Sequence, residues 1–126
     1  MKTANVVDSS GWLEYLADSD RASLFAEAIE DEENLLVPVI TLYEVFKKVY
    51  RDRSEDEALQ IASVMQGGRI VPLDGALALE AARHALPLAD SLIYATARRH
   101  GAILWTQDEH FKDLPFVRYF PDAQAR

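Results

Sequence analysis

Apolar residues along this chain fall into two patterns, short continuous runs and longer stretches with helical spacing. Runs at Ala4–Val7, Leu35–Val37, Arg69–Leu73, Ala102–Trp105 and Phe116–Tyr119 are short and partly β-branched. Such runs suit strands covered on both faces. Gly11–Ala17 reads as a helix with Ser9 or Ser10 as its cap, and Arg21–Glu33 puts Leu24, Phe25, Ala28 and Ile29 on one side. Val39–Asp52 carries Leu42, Val45, Phe46 and Val49 at helical spacing. Ser54 followed by Glu57 forms a capping-box signal ahead of Leu59, Ile61, Ala62 and Met65, and Gly67-Gly68 ends that helix. Asp74 is placed to cap Gly75–Ala85, and Ala89–His100 stops at Gly101.

The order is strand, two helices, strand, two helices, strand, two helices, strand, a short helical turn and a last strand. Strands alternating with helices predict an α/β fold, a parallel sheet of about five short strands sandwiched by helices. We expect one domain over residues 1–126, with 121–126 as a frayed tail. No repeat, low-complexity stretch or linker interrupts it.

Composition narrows the function. A chain of 126 residues suits one domain and buries a core without staples. The absence of cysteine excludes a disulfide scaffold, a thiolate zinc site and thiol catalysis. No run approaches the roughly 18 apolar residues of a membrane span. Met1–Asn5 leads straight into a strand, so a cytoplasmic protein with no membrane association is expected. Lys plus Arg number 13 against 21 Asp plus Glu, a formal charge of −8. That excludes coating nucleic acid by bulk charge, but not cutting it at a cation site, because a bound cation reverses the local sign.

In an open parallel sheet, sites form outside the carboxyl ends of the strands. Asp8 directly follows the first predicted strand, and Asp108 lies just beyond the fourth. Glu44 sits early in the helix after the second strand, and Asp90 opens the helix leading into the fourth. Each acid also has a local explanation. Asp8 would cap the first helix, Glu44 would complete a capping box with Thr41, Asp90 would favour a helix start, and Asp108 would initiate a turn. Those explanations leave unaddressed why all four fall on one rim. Four carboxylates side by side raise each other's pKa unless a partner intervenes, and a hard divalent cation, Mg²⁺ or Mn²⁺, is the natural partner.

Four stretches carry a family resemblance. They are Val6-Val7-Asp8-Ser9-Ser10, Val37–Val45 with Glu44, Leu86–Ala97 with Asp90, and Ile103–Phe111 with Thr106-Gln107-Asp108 and Phe111. In order and spacing the chain resembles PIN-domain ribonucleases, in particular the VapC-type toxins of toxin–antitoxin pairs. The resemblance implies metal-dependent hydrolysis of RNA phosphodiester bonds, with Asp8, Glu44, Asp90 and Asp108 as catalytic and metal-binding residues. Asp8, Asp90 and Asp108 would hold the cation, and Glu44 would orient the attacking water or ligate through water. Thr106 and Ser9 would fix carboxylate rotamers beside the acids. One position departs from the pattern. Many relatives carry a further acid shortly after the last Asp, where this chain has His110, and Asp113 is a poorly placed substitute.

The resemblance also implies a homodimer and a cognate antitoxin whose peptide lies across the helices near Glu44. Trp12, Tyr15 and Leu16 share one face of the first helix, and Leu42, Phe46, Val49 and Tyr50 stripe the third. Such stripes would line a partner groove or serve the core. Lys47, Lys48 and Arg51, with Arg53 beyond, are candidates for RNA phosphate contact or simply a solvated helix face. Arg98, Arg99, His84 and His100 lie at helix ends, where positive charge is favoured anyway. The acidic run Glu30–Glu33 reads as a solvated helix end.

Three rivals remain, two of them phosphoryl-transfer domains. A receiver-type phosphoryl-transfer domain would want paired acids after the first strand, where Ser9 and Ser10 stand. A haloacid-dehalogenase-type phosphatase would want an Asp at position 10. A PIN-like protein-binding module without catalysis would have no need of all four acids.

Overall fold

A computed structural model describes residues 2–121. The predicted tail therefore lies, apart from Pro121, outside the described residues. The elements run in the expected order. They are β1 (Asn5–Val7), α1 (Ser9–Leu16), α2 (Ala22–Glu30), β2 (Leu35–Pro38), α3 (Val39–Asp52), α4 (Glu55–Met65) and β3 (Arg69–Val71), then α5 (Gly75–Ala81), α6 (Leu88–Arg99), β4 (Ile103–Thr106) and β5 (Val117–Tyr119). Single 3₁₀ turns, Glu32–Asn34 and Glu109–Phe111, precede β2 and β5.

The five strands form one parallel sheet in the order β3-β2-β1-β4-β5. From β1 the chain winds outward through β2 and β3, then returns to place β4 on the other side of β1. The winding direction reverses between β1 and β4, so the carboxyl ends of those two strands frame a crevice.

Both sheet faces are covered, which explains the continuous apolar runs. Val7, Leu35, Val37 and Trp105 pack with Trp12, Phe25, Ile29, Val45 and Met65 from α1 to α4. Val6, Leu36 and Leu104 point the other way, onto Ile93, Tyr94 and Ala97 of α6 and onto Phe111. Among the described residues no helix is long and apolar enough to cross a membrane.

Helix ends follow the expected local chemistry in three places. Ser54 Oγ accepts from the Glu57 N–H at 3.1 Å, and Asp74 Oδ1 accepts from the Leu77 N–H at 2.8 Å. After α6, Gly101 takes φ +63°. The Gly101 and Ala102 N–H groups then donate to the carbonyls of Arg98 and Ala97, the paired closure of a Schellman end.

Three expectations need correcting. Neither Ser9 nor Ser10 caps α1, because the helix already includes Ser9 and the cap position is Asp8, whose side chain makes no cap bond. The helix predicted over Arg21–Glu33 stops at Glu30, because Asp31 and Asn34 close a local turn through side chain and backbone. The helix predicted to Ala85 ends at Ala81, where the N–H groups of Arg83 and His84 switch to carbonyls three residues back.

Candidate functional site

Asp8 leaves β1 in extended conformation, and its N–H donates to the Trp105 carbonyl of β4 at 3.0 Å. Its side chain is buried. Oδ2 accepts hydrogen bonds from Ser10 Oγ at 2.8 Å and from Thr106 Oγ1 at 2.9 Å. Thr106, the fully buried last residue of β4, also accepts from the Asp108 N–H at 2.9 Å. One hydroxyl thus ties the Asp8 carboxylate to the backbone that presents Asp108. Burial pushes the Asp8 carboxyl up to about 6. The Ser10 and Thr106 hydroxyls oppose that rise, and the charges of Asp90 and Asp108 add to it.

α1 can begin beside the sheet because Gly11 has no side chain. A Cβ there would lie 2.6 Å from Phe25 Cδ1 and 2.8 Å from Val7 Cγ1. The close approach brings Ser9 and Ser10 to the rim. Ser9 reaches across 35 positions of sequence, its Oγ donating to Glu44 Oε1 at 2.6 Å. The Ser9 hydroxyl expected beside the acids therefore fixes Glu44, while Ser10, considered above as a cap, fixes Asp8. Glu44 forms no capping box with Thr41. Thr41 lies inside α3, and its buried hydroxyl has no partner among the described residues.

Asp90 projects from the first turn of α6 and Asp108 from the end of β4. His110 bridges them, its Nδ1 2.8 Å from Asp90 Oδ2 and 3.1 Å from Asp108 Oδ1. Burial raises the Asp90 carboxyl, and the Asp108 charge adds to the rise against the His110 contact. The Glu44 charge also raises it, which ties the fourth acid electrostatically to the others. The hydrogen bond to Asp90 and the nearby Asp108 charge hold the His110 imidazole above its ordinary value. Asp108 fills its local role as well, since Oδ1 accepts from the His110 N–H at 2.9 Å.

One donor atom each from Asp90, Asp108 and His110 lies within 4.8 Å of the other two. Buried Asp8 and hydroxyl-held Glu44 adjoin this group. The Asp8 and Asp90 carboxyls are both raised in part by neighbouring acid charges, and among the described residues no lysine or arginine pairs with them, which fits a divalent cation.

Sequence reasoning undervalued three contributors. In the sequence His110 is the one histidine near the acids and reads more readily as structural than as a metal or substrate ligand, because its partner Asp90 is 20 positions away. Ser10 carried only a capping signal. Arg21 was not singled out, yet its Nε donates to Gln107 Oε1 at 2.6 Å and its guanidinium to the Phe120 carbonyl at 3.2 Å. These bonds brace the loop that presents Asp108. Asp113 is exposed and takes no part in the donor group of Asp90, Asp108 and His110.

The basic candidates lie along α3. Lys48 and Arg51 pair with Asp52 at 2.6 and 3.1 Å, and Lys47 covers the Tyr43 ring. Lys47 and Tyr43 also line an open groove of about 560 Å³ with Val39, Leu42, Phe46, Tyr50 and Ala62. Leu42, Phe46 and Tyr50 of the predicted stripe thus face the groove, whereas Val49 turns into the core. Trp12, read from the sequence as lining a partner groove or serving the core, is completely buried.

Comparison with known proteins follows the same geometry. A family model described as PIN domain matches residues 6–117. No curated protein matches the sequence. A toxin–antitoxin complex from Klebsiella pneumoniae superposes with TM-score 0.77 at 20% identity, covering 91% of this chain and 96% of that one. VapC20 of Mycobacterium tuberculosis, described as a sarcin–ricin-loop-cleaving toxin, gives 0.74 at 19%, covering 94% and 100%. DNA-bound VapBC from Salmonella typhimurium gives 0.72 at 12%, covering 94% and 98%.

Proposed function

The chain belongs to the PIN-domain family, and on that premise we propose that it is a metal-dependent endoribonuclease, the toxin of a toxin–antitoxin pair. The observation that carries this reading is the meeting of Asp8, Asp90 and Asp108 at the crevice where the sheet reverses, with Glu44 beside them. Single acids have local explanations. A buried Asp8 that spends two hydroxyl bonds on one oxygen, and caps nothing, does not.

A bound Mg²⁺ or Mn²⁺ would activate water and offset charge on the phosphate. Asp8, Asp90 and Asp108 would hold the ion. The Ser10 and Thr106 contacts both fall on Asp8 Oδ2, which leaves Oδ1 for the cation. Glu44, held by Ser9, would orient the attacking water. Thr106 acts as a positioning residue, because its hydroxyl sets Asp8 and the Asp108 backbone together. Lys47 is exposed near Glu44 and is the basic side chain on α3 best placed to meet an RNA phosphate, since Lys48 and Arg51 are occupied by Asp52.

The α3 groove would receive an apolar segment of a cognate antitoxin, and the chain would work as a homodimer in the cytoplasm. Support for the partner comes from the exposed apolar lining beside Glu44 and from neighbours that are themselves toxin–antitoxin complexes. A basic antitoxin side chain reaching the acids would compete with the cation. The rival reading, a PIN-like binding module without catalysis, predicts no cleavage under any metal condition. The test is incubation of purified protein with total and synthetic RNA in Mg²⁺ or Mn²⁺, with and without chelator. Cleavage that chelator stops and re-added metal restores supports the nuclease. Cleavage indifferent to chelator, or none at all, contradicts it.

A further inference from the structure

We propose that His110 is itself a ligand of the catalytic cation, through Nδ1, and that this nitrogen biases the site toward a transition-metal dication over Mg²⁺. The inference rests on the cation reading above and extends it to a residue outside the four acids.

Three observations carry it. First, Nδ1 faces both Asp90 Oδ2 and Asp108 Oδ1, at 2.8 and 3.1 Å. Adjacent ligands of an octahedral cation with bonds of about 2.1 Å stand about 3 Å apart. Nδ1 therefore already stands at the spacing of a neighbouring ligand from each of the two carboxylate oxygens, which themselves lie within 4.8 Å of each other. Second, the imidazole is held from its backbone. The His110 N–H donates to Asp108 Oδ1 at 2.9 Å, and the next residue, Phe111, is fully buried in the core. Little ordering is left for a metal to impose. Third, the donor type matters. Mg²⁺ favours oxygen donors and retains water, whereas imidazole nitrogen suits later divalent ions. A histidine in this place would weaken discrimination for Mg²⁺ and favour Mn²⁺ or its heavier neighbours. A second arrangement fits the same distances, in which the imidazole is only a cationic partner for the two acids and leaves when a metal enters.

Electron paramagnetic resonance of Mn²⁺ added to the full chain separates the two. His110 has a half-exposed side chain, so His110→Gln and His110→Ala are expected to fold, with circular dichroism as the check. The wild-type protein should bind Mn²⁺ with ¹⁴N modulation in its electron spin echo, and both variants should lose that modulation. Competition with Mg²⁺ should show the wild-type preference for Mn²⁺ falling by about tenfold in the variants, with Mg²⁺ affinity changed much less. Bound Mn²⁺ without nitrogen modulation, or modulation that survives in both variants, overturns the ligand assignment and leaves the cation site standing. A wild-type protein that binds no Mn²⁺ overturns both.

Discussion

Asp8 concentrates the chemistry at the residue scale. Its carboxyl is raised from 3.8 to about 6 by burial first, so the folded chain holds that proton more tightly than the unfolded chain does. The resulting stabilisation is complete below about pH 4 and disappears as pH rises toward 6, at a total cost of about 3 kcal/mol in the metal-free protein. Urea unfolding in chelator at pH 4, 6 and 8 should show that fall, and Asp8→Asn should flatten it and stabilise the protein at pH 8. Saturating Mn²⁺ should restore the wild type by about 2.7 kcal/mol at a hundredfold excess over its dissociation constant, and the variant much less. Thr106 gives a second prediction. Thr106→Val keeps the shape but removes the hydroxyl shared by Asp8 and the Asp108 N–H. Cleavage should fall by about tenfold or more with the fold intact, while Thr106→Ser should retain most activity, because one lost charge-assisted bond is worth about 1.5–3 kcal/mol. Asp8 and Asp108 were legible in the sequence because they follow apolar runs at a strand's end, and Glu44 and Asp90 because they sit early in helices with strong apolar spacing. The contacts of His110 to Asp90 and of Ser9 to Glu44 were not, because tertiary packing joins residues 20 and 35 positions apart.

Elements were legible where local chemistry decides them. The runs Leu35–Val37 and Ala102–Trp105 could be read as strands because both faces of each are covered, and α3 because its apolar spacing spans four turns. Ends were harder to read, since Asp31 with Asn34 and the tightened last turn of α5 depend on short-range bonds that compete with the helix. The face each helix turns to the sheet also required the fold, and Trp12 is the clear case. Its indole reads equally well as core or interface, and only the packing of α1 against α2, α3 and β4 buries it. Gly11 makes that packing possible. Gly11→Ala should cost about 1–3 kcal/mol, as overpacking of a core does, because Val7 and the Phe25 ring must shift. Denaturant unfolding measures the cost. Since the same glycine brings α1 to the rim, cleavage should fall beyond the loss of folded protein. Activity that tracks the folded fraction alone would separate α1 placement from the site.

For the whole molecule, topology and charge act together. The reversal between β1 and β4 puts two acids at one crevice, and α3 and α6 bring Glu44 and Asp90 to it. On the proposed reading, a chain of formal charge −8 would meet a polyanion only where a cation changes the local sign. The apolar α3 groove lies beside that point. Light scattering of the isolated protein should give twice the chain mass. Tyr43→Glu with Tyr50→Glu, both exposed in the groove, should abolish antitoxin binding without altering the circular dichroism spectrum. A monomer at high concentration would remove the dimer from the account, and full antitoxin binding by the variant would remove the groove. The nuclease assignment itself is tested most directly by Asp90→Asn. Single-turnover RNA cleavage in saturating Mn²⁺ and urea unfolding should be measured on the same preparation. Removing one crowded carboxylate should leave the metal-free fold as stable as the wild type or more so, and should eliminate cleavage. Cleavage at the wild-type rate, or an Asn variant that fails to fold, would show that Asp90 serves the helix and not a cation.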